Sequence, residues 1–325
     1  MKPSVSVCIA TYNHEAYIAK TLDSILGQKG DYLLEILIHD DASTDSTPTI
    51  IRDYQRRFPQ VINPIFQEVN QYQQAIAIDP TFNYPRAKGK YIALCEGDDW
   101  WCDVSKLEKQ VRCMEGDPKA SFLFTNAFIS THGSNDAMRP FFPYRASEAD
   151  LGLDKPRQFN LGEMCKINFA PTASYFFPTK ALALLPTTFT HHYCPHGDLK
   201  LRLFLTATSH ALYLPSKTCV YRENVPNSAM QRWTVEGATK ESARAKSVML
   251  MLDDVNQYSK GKYEKSIAQF YDWFAQVMLV TAPTVDILTD PDAKRIYNKY
   301  SPYKRLRFQV KHIVNKFRKQ KGVYK

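Results

Sequence analysis

An α/β fold, with a mostly parallel sheet flanked by helices and a helical C-terminal extension, is predicted by three features of this 325-residue sequence. Short apolar runs alternate with segments whose apolar residues recur at helical spacing. Acids cluster directly after the second and fourth of those runs. The last 22 residues are basic, acid-free and amphipathic. Alternating strand and helix implies right-handed crossovers, which collect ligands at the C-terminal ends of the strands.

Val5 to Thr11 is a nearly continuous apolar run, as expected of a strand buried on both faces. Ile18, Leu22, Ile25 and Leu26 then mark a helix closed by Gly27 and Gly30. The second strand, Leu34 to His39, ends in Asp40-Asp41, and Ile50, Ile51, Tyr54 and Phe58 mark the next helix. Val61 to Phe66 and Tyr91 to Cys95 are the third and fourth strands. Leu107, Val111 and Met114 share a helix face after Asp103, which fits its N-cap. Ser121 to Ile129 and Thr172 to Phe177 are expected as strands, and Lys180 to Leu185 as a short helix. Residues 130–160 lack periodicity and contain three prolines, so an acceptor-side insertion or a mobile loop is expected there.

Composition sets outer bounds. At 44% hydrophobic the chain can bury a substantial core. Seven scattered cysteines with no Cys-x-x-Cys pair point to a reducing compartment, and no segment has the length of a membrane span or the form of a signal peptide. The net charge of +9 is local: nine of the 42 Lys and Arg lie in 304–325, leaving 33 bases against 33 acids. A neutral body lacks the distributed basic groove of a nucleic-acid binder, so nucleic acid is disfavoured as a partner.

Glu96, Asp98 and Asp99 follow the fourth strand, with Gly97 permitting a tight turn between them. Three crowded carboxylates repel one another, and the cheapest compensation is a hard divalent cation, Mn2+ or Mg2+. No Gly-x-Gly-x-x-Gly follows a strand and no Gly-Lys-Ser/Thr loop is present, which argues against a dehydrogenase-type dinucleotide site and a P-loop.

Val5 to Asn13, Asp40-Asp41-Ala42-Ser43-Thr44-Asp45, and Lys88 to Ala93 running into Glu96-Gly97-Asp98-Asp99-Trp100-Trp101 together resemble the inverting family 2 glycosyltransferases of the GT-A (Rossmann-like) fold, of the bacterial surface-polysaccharide type. The resemblance is strong over residues 4 to about 115, weaker to about 230 and absent beyond. It implies a nucleotide-sugar donor, first of all a UDP-sugar, and a glycan or lipid-linked acceptor. Ala10, Thr11, Tyr12, Asn13 and Asp41 would hold the nucleotide, with Asp41 on the base and Asn70 touching the nucleotide from a loop without the usual Gly. Asp99 would be the direct metal ligand and Asp98 would reach ribose or metal.

His191-His192-Tyr193-Cys194-Pro195-His196 is too crowded for common zinc spacing. The resemblance instead implies that Asp198, in a Gly-Asp step before the Leu199, Leu201, Leu203 and Phe204 helix, is the general base. A one-step inverting displacement needs one carboxylate to take the acceptor proton, and no enzyme nucleophile. Tyr221-Arg222-Glu223-Asn224 stands where the family often has Tyr-Arg-x-His, making Arg222, Asn224 and the alternative His196 acceptor-side or phosphate-side candidates. Trp100 and Trp101 could stack on a sugar or pack the loop.

The expected organisation is a GT-A domain over 1–230, with a nucleotide half to 115 and an acceptor half from 116, then a helical extension over 231–300 and a basic tail over 301–325. On a helix, Leu306, Val310, Ile313, Val314 and Phe317 share one face flanked by Lys and Arg, as on helices that lie in an anionic membrane interface. The alternative is that this face packs on the rest of the chain. The expected location is cytoplasmic and peripheral on the inner face of the cell membrane. The second functional expectation is a nucleic-acid-directed glycosyltransferase, or a nucleic-acid-binding protein using the tail.

Overall fold

The structure, a computed structural model, describes residues 4–131, 138–187, 189, 194–225, 228, 231, 233, 238–281 and 284–320. It divides into two compact units, Met1–Tyr193 with Gly197–Val225, and Cys194–His196 with Pro226–Lys325.

The first unit is built on one mixed ten-stranded sheet. Strands β1 (Val5–Thr11), β2 (Leu33–Asp40), β3 (Ile62–Phe66) and β4 (Tyr91–Glu96) pair in parallel in the order β3-β2-β1-β4. Helices α1 (Ile18–Leu26) and α2 (Thr47–Arg57) form the first two crossovers. Val5, Val7, Ile9, Ile36, Ile38 and Ile92 are fully buried, which is why these strands read as unbroken apolar runs rather than alternating ones. Ile18, Leu22 and Ile25 supply the buried stripe of α1.

The chain turns to opposite sides of β1, to β2 and β3 on one side and β4 on the other. That reversal opens a crevice beyond the carboxyl ends of β1 and β4, where open α/β sheets bind ligands. The acid turn lies at this edge.

Past β4 the sheet takes up antiparallel pairings. β5 (Trp100–Trp101), β6 (Phe122–Thr131), β7 (Arg139–Pro140), β8 (Arg157–Phe159), β9 (Phe176–Pro178) and β10 (Ala211–Glu223) continue it, with α3 (Lys106–Gly116) and the single turn α4 (Leu161–Met164) between them. β6 and β10 are parallel; β5 and β8 run antiparallel to β10, and β9 antiparallel to β4.

Two expectations are corrected here, and a third is refined. Thr172–Ser174 is a 3-10 turn begun by Pro171, whose carbonyl accepts from Ser174 N at 2.9 Å and Ser174 Oγ at 2.7 Å, so the strand starts only at Phe176. The short helix expected over Lys180 to Leu185 is present as a 3-10 helix over Thr179–Leu184. The segment 138–160 is packed: Phe141 and Phe142 are buried in an aromatic cluster with Phe124, Tyr144, Phe169 and Tyr213. Residues 132–137 lie outside the described residues.

Helix α5 (Gly197–Thr208) is buried on nearly every side rather than amphipathic, with Lys200, Arg202 and Thr206 enclosed beside its leucines. Arg202 survives there because its guanidinium donates to the carbonyls of Met164, Ile167 and Asn168.

In the second unit, α6 (Ala238–Tyr258) and α7 (Glu264–Thr281) bury Val248, Leu252, Phe270, Phe274 and Met278. Short helices α8 (Thr284–Thr289) and α9 (Pro291–Asn298) lead to α10 (Pro302–Gln320). Phe308, edge-on to Tyr300 at 5.3 Å, and His312, whose Nδ1 donates to Val280 O at 2.9 Å, fix α10 within this unit.

Candidate active site

The turn after β4 is anchored before its carboxylates are placed. Gly97 N donates to Ala10 O at 3.0 Å and Thr21 Oγ1 donates to Asp99 O at 2.5 Å, fastening the turn to β1 and α1. A Cβ at Gly97 would lie 2.4 Å from Thr11 Oγ1 and 2.7 Å from His14 Nδ1, so only glycine lets these elements meet.

Asp99 is 1% exposed; its Oδ1 accepts from Arg222 N at 2.9 Å, and its Oδ2 is buried with no hydrogen-bond partner among the described residues. Burial, then the neighbouring Asp98, pushes its carboxyl well above the usual range. Glu96 is raised in the same direction by burial and by the charges of Asp99, Asp98, Asp198 and Asp79. Asp98 is more open; its Oδ2 lies 3.8 Å from His14 Nε2.

Among the described residues no three His, Cys, Asp or Glu side chains converge as a ready cation cage. The expectation of a cation on Asp98 and Asp99 therefore meets a site of fewer protein ligands. An ion that arrives with a diphosphate needs only one or two carboxylates, the phosphates supplying the rest. An orphaned, buried Asp99 Oδ2 among repelling acids fits such an ion.

At the end of β2, Asp40 Oδ1 accepts from Ser43 Oγ at 2.5 Å, and Asp41 is 4% exposed. Asp41 Oδ1 and Oδ2 accept from Gln71 N at 2.7 Å and Tyr72 N at 3.1 Å, while Asn70 Nδ2 donates to its carbonyl at 3.1 Å. Asp41 and Asn70 thus lock the 70–72 loop to β2, and lone pairs remain on the carboxylate for a base N–H. Asn13, at φ +56, takes Ser43 Oγ on its N–H and Thr44 N on its side-chain oxygen, which sets the course of the loop from Ala10 through Tyr12.

Arg222 lies 4.7 Å from the Tyr17 ring and 4.2 Å from the Trp100 ring, and its guanidinium also donates to Asp98 O. Lys20 Nζ sits 3.7 Å from the Trp100 centroid, and Lys106 Nζ 4.1 Å from that of Trp101. Both indoles are buried, and as β5 they pair with Cys219 and Val220. Each indole has a cation over its face beside the acid turn. Asn224, at φ +65, directly follows β10, two residues past Arg222.

Asp198 is the second residue of α5, partly exposed, and its charge reaches Glu96 and Tyr175. The fold therefore brings Asp198 from the distant half of the unit toward the acid turn. His196 belongs to the second unit, where it packs on Trp233 at 4.7 Å and Phe274 at 6.2 Å. His191, His192 and Tyr193 lie outside the described residues. Sequence reasoning missed His14 and Lys20; an imidazole three residues past the end of β1, at the expected ligand edge, was the available signal for the first.

The chain matches the family described as glycosyl transferase family 2 over residues 6–177. It is 34% identical over 125 residues to the Escherichia coli UDP-Glc:alpha-D-GlcNAc-diphosphoundecaprenol beta-1,3-glucosyltransferase WfaP, covering 38% of this chain and 46% of that one. The chain spans less than half the length of the curated relatives it matches. Its fold resembles S. aureus TarS 1-349 in complex with UDP-GlcNAc, with TM-score 0.61 and 15% identity over 99% of this chain and 93% of that one. It also resembles the mannosyltransferase PcManGT from Pyrobaculum calidifontis in complex with GDP-Man and Mn2+, with TM-score 0.56 and 18% identity over 97% and 88%.

Proposed function

Because the chain belongs to glycosyl transferase family 2, we propose that it is an inverting, cation-dependent glycosyltransferase, moving a sugar from a nucleotide diphosphate donor to a hydroxyl of a glycan or lipid-linked glycan. The observation that carries this is the acid turn at the switch point of the sheet, where buried Asp99 has an unpartnered oxygen and Asp198 is brought within electrostatic reach. Asp41 and Asn70 hold the nucleotide side. Asp98 and Asp99 hold Mn2+ or Mg2+, which when bound neutralises the charge developing on the diphosphate. Asp198 accepts the proton of the attacking hydroxyl. The UDP donor and lipid-linked acceptor are supported by WfaP and TarS; PcManGT, with GDP-Man, keeps the base open to test.

A panel of UDP- and GDP-sugars, with Mn2+, Mg2+ or EDTA, decides the donor by thermal shift, since a ligand that binds the native state raises the melting temperature. Stabilisation by a UDP-sugar that disappears in EDTA is expected. No shift with any sugar nucleotide sinks the proposal.

The surface of α10 supports an anionic membrane as the second partner. Leu306, Val310 and Ile313 are 58%, 51% and 53% exposed, and Val314 and Tyr303 are also open to solvent. Four residues of the face anticipated from the sequence are thus exposed, the side chain of the fifth, Phe317, lying outside the described residues, and Phe308 instead anchors the helix. Apolar side chains flanked by Lys304, Arg307 and Lys311 suit an acyl boundary beneath anionic headgroups. Among the described residues no helix is long and apolar enough to cross a membrane.

A further inference from the structure

His14 has no part in the roles assigned so far, yet it is the imidazole that faces the acid turn. Its backbone N–H donates to Thr47 Oγ1 at 2.8 Å, fixing the loop after β1 against the start of α2. Its ring Nδ1 lies 3.1 Å from Thr11 Oγ1, and its Nε2 lies 3.8 Å from Asp98 Oδ2. The bare Cα of Gly97 is what lets the ring come so close.

We infer that His14 is a protein ligand of the donor-site cation, shared with Asp98, and that it biases the site toward Mn2+ over Mg2+. This rests on the cation-dependent reading above. At 3.8 Å the two side chains are too far apart for a hydrogen bond. Ligands of one octahedral ion, at about 2.1 Å from it, stand about 3.0 Å apart when adjacent and about 4.2 Å when opposite. The observed gap falls between, so a small adjustment of either side chain seats an ion. The Thr11 hydroxyl oxygen can accept from Nδ1–H, which turns the Nε2 lone pair toward Asp98; metal-binding histidines are oriented in this way by a partner on the other ring nitrogen. His14 joins the carboxylates of the acid turn, and the diphosphate supplies the rest of the coordination shell. An imidazole is a softer donor than a carboxylate or water, and replacing an oxygen ligand by it favours a transition ion.

The test uses the full chain with UDP as the nucleotide and Mn2+ or Mg2+ as the probe ion. For wild type and H14A, UDP affinity is measured by calorimetry with each ion and in EDTA. H14A is expected to weaken Mn2+-dependent UDP binding by about tenfold or more, the lower end of what even an outer-shell partner of a metal ligand contributes. Mg2+-dependent binding should fall by less than about threefold, and binding in EDTA should not change. Equal losses with both ions, no loss, or the same loss in EDTA overturns the assignment, the last making His14 a phosphate contact instead. In the wild type, diamagnetic Cd2+ with UDP should shift the His14 Nε2 resonance as a metal-bound nitrogen while Nδ1 stays protonated, a change that proximity to the ion alone does not give; this readout holds even if H14A fails to fold. Wild-type protein that shows no cation-dependent UDP binding removes the proposed function together with this ligand. Cation-dependent binding that leaves the His14 Nε2 resonance unshifted removes the ligand alone.

Discussion

The backbone N–H of Arg222 donates to Asp99 Oδ1 at 2.9 Å, joining β10 to the acid turn after β4. One oxygen of Asp99 is therefore structural, and the other is left for chemistry. The two roles separate in two substitutions. Asp99→Ala should abolish cation-dependent UDP binding and also leave the Arg222 N–H buried and unpaired, a cost of roughly 1–3 kcal/mol on urea unfolding, partly offset by removing a buried carboxylate. Asp99→Asn keeps an acceptor for Arg222, so it should unfold close to wild type while still losing the cation. Calorimetry showing unchanged affinity for UDP with Mn2+ in Asp99→Asn refutes the ligand role.

Asp198→Asn should separate chemistry from binding. Asn is nearly the same size, so α5 and donor affinity should be preserved, while turnover falls by about 10²-fold or more, the scale of a positioned general base. Turnover within a factor of about three of wild type, with donor saturating, would move the base elsewhere.

Asp79 gives the pH dependence. It is half-buried, its Oδ1 accepts from Asn83 Nδ2 at 2.7 Å, and burial of the carboxyl raises its pKa to about 6. A carboxyl whose folded pKa is raised favours the folded state in its protonated form. That contribution is complete below the unfolded value near 3.8 and is lost as pH rises through about 6. Asp79→Asn imitates the protonated form and keeps the acceptor for Asn83, so it should raise the melting temperature at pH 8 and leave it unchanged at pH 4. A melting-temperature difference that does not vary between those pH values contradicts the assignment.

The parallel half of the sheet was legible because β1, β2 and β4 are buried on both faces and so appear as continuous apolar runs ending in acids. The acid turn was legible for the same reason: three carboxylates at a strand end have few physical explanations. Past β6, itself expected over Ser121 to Ile129, the strand signal weakened. β7, β8 and β9 are two or three residues long, too short for any period, and are held by rings such as Phe124, Phe141 and Tyr213 that are far apart in sequence. Arg202 and Glu148 look like surface residues in a sequence; they are buried because backbone groups satisfy them, Glu148 accepting from Tyr144, Arg145 and Asn168. The contacts of Trp100 and Trp101 with Lys20, Lys106 and Arg222 were not legible because those cations come from three separate elements.

The exposed stripe of α10 gives the last prediction. Its apolar residues would be costly to leave in water over several turns unless something covers them, and the bases beside them select an anionic surface. Each base near such a surface contributes about 1 kcal/mol, so the nine in 304–325 can hold the chain there reversibly without a span. Full-length protein should sediment with vesicles containing phosphatidylserine or another anionic lipid, remain in the supernatant with purely zwitterionic vesicles, and be released at about 0.5 M salt as the Debye length shrinks. Leu306→Glu with Val310→Glu, both exposed and without a packing role, should abolish sedimentation while leaving the melting temperature and donor binding as in wild type. Sedimentation that survives this double change, or that is equal on zwitterionic vesicles, rejects the membrane surface as the partner of α10; preferential binding of duplex DNA that the same change leaves intact would instead assign the tail to nucleic acid.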